Sequence, residues 1–105
     1  MFTDFNVQLQ FSEDEALIRL AGSLDASTAA RLQDAMQEAA HNRPGKLVID
    51  ATELTFMASA GLRCLVFARQ KMGSEVDIIV LGAPPPVVHT IRMAGFDRSV
   101  QLRES

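Results

Sequence analysis

Hydrophobic and polar positions change their period several times along the chain, and each change marks a predicted element. Phe5, Val7, Leu9 and Phe11 alternate with Asn6, Gln8 and Gln10, the period of two expected of a strand with one wet face. Ser12-Glu13-Asp14-Glu15 is a polar turn, and Ala16-Leu17-Ile18-Arg19-Leu20-Ala21 is the returning strand of a hairpin that Gly22 breaks off. Asp25 then stands where a helix cap belongs. From Thr28 to Ala40 the apolar positions Ala29, Leu32, Ala35, Met36 and Ala39 share one helical face, stopped by Pro44 and Gly45.

Lys46-Leu47-Val48-Ile49-Asp50 is a short run rich in branched residues, a buried strand. A turn of small residues follows, and Leu62, Leu65, Val66, Ala68 and Met72 resume helical spacing until Gly73. Val76 to Leu81 is another buried strand. Pro84-Pro85-Pro86 opens a short helix through Val87, Val88, Ile91 and Met93. Asp97 to Leu102 leaves room for one last strand. The alternation predicts an α/β layer, a mixed sheet of four to five strands with helices from about Thr28, Ser59 and Pro85 packed on it, all in one domain over residues 1–105.

Composition narrows the function. The 105 residues are 48% hydrophobic and 22% charged, enough to bury a core without metal or disulfides. A net charge of −3 is no footprint for nucleic acid or an anionic membrane. The single cysteine, Cys64, has no internal partner, which fits a reducing compartment, and its expected role is a small buried filler. Met1 to Phe5 lacks the basic, apolar start of a signal peptide and no run could span a bilayer, so a soluble, cytoplasmic domain is expected. His41 and His89 fall in no motif with an acid. Gly-x-Ser-x-Gly, phosphate-loop and metal-ligand spacings are missing. No catalytic residue, metal, cofactor or small-molecule substrate is expected.

The chemistry concentrates in Leu54-Thr55-Phe56-Met57-Ala58-Ser59-Ala60-Gly61-Leu62. A hydroxyl at a helix mouth sits near unpaired N–H groups and the positive end of the dipole. Gly61 in the first turn lets another group come close, either backbone or partner. One reading makes Ser59 an N-cap and nothing more. Helical spacing puts Ser59, Arg63, Val66 and Gln70 on the side away from Gly61, Leu65, Ala68 and Met72, with Phe67 on the flank. Apolar residues beside an arginine have the make-up of an interface; Phe67 packed under a neighbouring helix is the alternative. Asp25 is read first as a helix cap, and Asp50 as an acid that fastens the loop after its strand.

Ile49-Asp50 followed by Phe56-Met57-Ala58-Ser59-Ala60-Gly61-Leu62 resembles the signature of the STAS domain, named for sulfate transporters and anti-sigma-factor antagonists. Gly22-Ser23-Leu24-Asp25-Ala26-Ser27-Thr28-Ala29 and Gly95-Phe96-Asp97 are similar to two further family segments. The resemblance implies an anti-sigma-factor antagonist that acts by partner switching. Unmodified, such a protein binds an anti-sigma factor that is also a serine kinase; phosphorylation of the serine matching Ser59 separates them, and a serine phosphatase resets the switch. Asp25, Ala58, Ser59, Gly61, Arg63, Val66 and Phe67 are then the partner-binding residues. Ala58 departs from the family's acid and Ala60 from its second serine. The family also includes cytoplasmic subunits of lipid-transport ATPases and components of stress-sensing assemblies.

Overall fold

A computed structural model describes residues 5–104; the signal-peptide reading of residues 1–4 lies outside them. Strands β1 (Asn6–Ser12) and β2 (Glu15–Leu24) form the expected antiparallel hairpin. After helix α1 (Ala29–His41), strand β3 (Lys46–Met57) lies parallel to β2, and after α2 (Ser59–Met72), β4 (Asp77–Leu81) lies parallel to β3. Helix α3 (Pro85–Met93) and a single 3₁₀ turn, Phe96–Arg98, lead to β5 (Gln101–Arg103), parallel to β4. The five strands stand in chain order. Right-handed crossovers that always advance in one direction place every helix on the same face of the sheet.

That face holds the core. Ala16, Ile18, Leu20 and Leu24 of β2 and Leu47, Ile49, Ala51, Leu54 and Met57 of β3 join Leu32 and Met36 of α1, Leu65 of α2 and Val87 and Ile91 of α3 in one buried cluster. The opposite face carries Arg19, Lys46 and Asp50 around Val48 and Ile79, with Arg19 and Asp50 3.8 Å apart.

The last strand is shorter than the space from Asp97 to Leu102 allowed, because the 3₁₀ turn takes its first residues. Two further boundaries differ from the sequence reading, and both bear on the site. Gly22 does not end its strand: at φ 95° it adopts a conformation open to glycine, and β2 runs on to Leu24. Alongside it, residues 51–57 are strand and not loop, because extended β2 gives them a pairing partner. Two register shifts, one between Arg19 and Ala21 and one between Gly22 and Ser23, place extra residues in β3. Each adds one to the spacing of inward positions, so Ala51, Leu54 and Met57 fall three apart and the period of two is hidden. Asp50 accordingly braces the first bulge, accepting hydrogen bonds from the Thr52 N–H at 3.1 Å and its hydroxyl at 2.5 Å.

Candidate functional site: the mouth of α2

β2 and β3 end side by side. Leu24 pairs with Met57, the Thr55 hydroxyl donates to the Gly22 carbonyl at 3.0 Å, and the Ala58 N–H donates to the Leu24 carbonyl at 2.8 Å. The residues that follow each strand, Asp25 and Ala58, are therefore neighbours although 33 positions separate them in the chain.

Ala58 turns the chain into α2. Its backbone is extended, φ −85° and ψ 175°, and its carbonyl accepts from the Gly61 and Leu62 N–H groups. That is the geometry of an N-cap, but alanine has no side-chain acceptor and the helix start carries no side-chain cap. Ser59 is thus the first helical residue, not the cap that its hydroxyl suggested. It is exposed, and among the described residues its hydroxyl makes no hydrogen bond. An unmodified hydroxyl stands at a helix N-terminus whose first N–H groups have no side-chain partner.

Gly61 is demanded from the inside. It is buried, and a Cβ there would lie 2.6 Å from Leu24 Cδ2 and 3.0 Å from Met57 Cγ. The close approach that its glycine permits is to the end of β2, which seats α2 beside the Asp25 loop. Cys64, also buried, donates its thiol to the Ala29 carbonyl at 3.3 Å, tying α2 to the start of α1. Burial pushes that thiol's pKa up, only partly offset by Arg63, as suits an inert filler.

Asp25 does not cap α1. Its Oδ1 accepts from the Ser27 N–H at 2.9 Å and the Ser27 hydroxyl at 2.7 Å, and its carbonyl from the N–H groups of Thr28 and Ala29. Thr28, the N-cap residue, has its hydroxyl committed to the Ser23 carbonyl and the Asp25 N–H. Side-chain and backbone hydrogen bonds from Ser27 hold the Asp25 carboxyl below the usual carboxylate range, so the loop beside Ser59 stays negatively charged.

Along α2, Arg63, Val66 and Gln70 are exposed with Ser59, while Phe67 is half-buried against the core with the Lys71 ammonium 5.7 Å from its ring centre. Phe67 is thus partly core, and its outer edge belongs to the surface. Phe56, paired with Ser23 and 50% exposed, stands just before this turn and is absent from the sequence-derived set; with Met57 pointing into the core, its ring lies on the sheet face opposite α2. Its signal was the adjacent pair Phe56-Met57 at a strand end, only one of which can point inward. His41 and His89 are exposed on α1 and α3, neither in a hydrogen bond with Ser59, and no cluster able to hold a metal ion occurs among the described residues.

Residues 7–104 match the family model described as "Mlab, STAS domain". The chain belongs to the STAS-domain family. Over 87 residues, 83% of this chain and 71% of the relative, the STAS domain is 31% identical to the anti-sigma-F factor antagonist RsfB of Mycobacterium tuberculosis. The crystal structure of an anti-sigma factor antagonist from Mycobacterium paratuberculosis superposes with a TM-score of 0.87 at 25% identity, covering 95% of this chain and 86% of that one. The anti-sigma factor antagonist SpoIIAA in its unphosphorylated form shares the fold, with a TM-score of 0.80 at 19% identity over 92% of this chain and 87% of that one. No helix among the described residues is long and apolar enough to cross a membrane.

Proposed function

We propose that this STAS domain is an anti-sigma-factor antagonist, a cytoplasmic binding protein without catalysis of its own that is switched at Ser59. The observation that carries the reading is the exposed hydroxyl of Ser59 at the uncapped mouth of α2, on the outward side of the helix with Arg63, Val66 and the outer edge of Phe67. Its relatives named as anti-sigma factor antagonists support the partner class. The unmodified face holds an anti-sigma factor that is also a serine kinase, with Asp25 and Ala58 at its rim; Gly61, buried against Leu24 and Met57, seats the helix and does not touch the partner. Phosphorylation adds about −1.5 to −2 charges. The bare N–H groups of the first turn accommodate that anion within the free domain, whereas enclosing it in an interface costs the binding energy. A serine phosphatase restores the binding form. Ser59 is a target and not a nucleophile, since neither histidine is placed to activate it.

A second reading draws support from Ala58 and Ala60, which leave the turn without the acid and second hydroxyl of the family pattern. In it the same face binds permanently, as an adaptor subunit of a lipid-transport ATPase or a stress-sensing assembly. Affinity capture with Ser59→Ala and Ser59→Asp baits separates the two. The switch predicts that Ser59→Ala retains a serine kinase that binds a sigma factor, and that Ser59→Asp loses it at least tenfold. Recovery of a transport ATPase by both baits equally, or wild-type protein left unmodified by the kinase with ATP and magnesium, would refute the switch.

A further inference from the structure

The two edges of the sheet are built differently. β5 is three residues long and includes Arg103, short and charged as protected edges are. β1 runs seven residues, Asn6 to Ser12, with no charge, proline or bulge. Among the described residues no strand lies on its outer side. An edge of that length and composition presents backbone N–H and C=O groups that another strand can complete.

We propose that β1 is a dimerisation edge, at which two copies of this chain pair their Asn6–Ser12 strands antiparallel about a two-fold axis perpendicular to the sheet. The strand is self-complementary in that arrangement. Such an axis keeps every residue on its own face of the sheet, and full overlap of the seven residues places Leu9 opposite Leu9 of the second copy. Val7 then faces Phe11, and Gln8 faces Gln10. The apolar set falls on the helix-covered face, where Val7 and Leu9 already pack against the core and Phe11 is 44% exposed. The glutamines pair on the opposite, polar face. Continuing the register sets Glu13 of one copy opposite Phe5 of the other, where the Arg31 guanidinium lies 5.4 Å from the ring centre.

Seven residues a side is less than a standard interface of about 800 Å² per partner, so the dimer is weak, with a dissociation constant between about 1 μM and 1 mM. The pairing does not rest on the antagonist reading. Ser59 follows β3, two strands away from the edge, and either property can fail without the other.

Sedimentation velocity of the full chain across that concentration range tests the proposal, with circular dichroism to verify that each variant is folded. The wild type is expected to approach twice the monomer mass at the upper end. Gln8→Lys combined with Gln10→Lys sets like charges opposite one another twice and should remain monomeric. Gln8→Lys combined with Gln10→Glu sets opposite charges there and should dimerise about two- to thirtyfold more tightly than the wild type. A wild-type chain that stays monomeric at about 1 mM overturns the proposal, whether the edge then serves a different chain or none. So does a like-charge variant that dimerises as the wild type does, or an opposite-charge variant no tighter than the like-charge one.

Discussion

Ala58 and Ser59 separate the backbone and the hydroxyl of a helix cap. The cap position has the right backbone but no acceptor, and the hydroxyl sits one residue too late to cap. In the proposed switch, stability and switching are therefore separable. Ser59→Ala should move the unfolding free energy by less than about 0.5 kcal/mol, whereas Ala58→Asp should raise it by about 1 kcal/mol, both read by denaturant titration. A loss of 1 kcal/mol or more in Ser59→Ala would mean that the hydroxyl does cap. Asp25 adds a second prediction. Its folded pKa lies below the unfolded value of about 3.9. The ionised carboxylate therefore stabilises its turn fully above that value, and the contribution fades as pH falls through the lower, folded one. Carbon-detected NMR titration should find Asp25 titrating below the ordinary range, and Ser27→Ala should shift it upward. The role of Asp25 was only half legible in sequence: its place before a helix reads as a cap, but Thr28 takes the cap position, its hydroxyl claimed by the end of β2, and leaves Asp25 to close a turn with Ser27.

At the scale of the element, α2 was legible because its inward positions repeat cleanly, while β3 was not, because bulges set its inward positions three apart. Hairpin, helices and buried strands came from periods that the core enforces. The last turns of β2 and β3 depend on each other across 33 residues, and no local pattern encodes that pairing. The outer face of α2 carries a mixed prediction. Phe67→Ala removes half-buried packing and should cost about 1–3 kcal/mol of stability as well as partner affinity. Val66, 37% exposed, has little packing to lose, so Val66→Ala should leave the melting temperature within about a degree or two while weakening the partner complex. Equal effects of both substitutions on stability and on binding would contradict this division of the helix.

For the whole molecule, one arginine closes the far end of the sheet. Arg69, in the last turn of α2, donates to the carbonyls of Gly73 at 2.8 Å, Val76 at 2.7 Å and Ser99, fastening the approach to β4 and the link into β5. Arg69→Lys keeps the charge but loses the fork and should cost about 2–4 kcal/mol, with hydrogen exchange rising first in β5. Unchanged protection there would show that β5 is held by its strand pairing alone. The strand order gives this closure a further meaning. Because each strand lies beside the one before it in the chain, no later segment has to be inserted between two strands already paired. Arg69 likewise precedes all three carbonyls that it binds, so the last three-residue strand is latched by a group that the chain has already supplied.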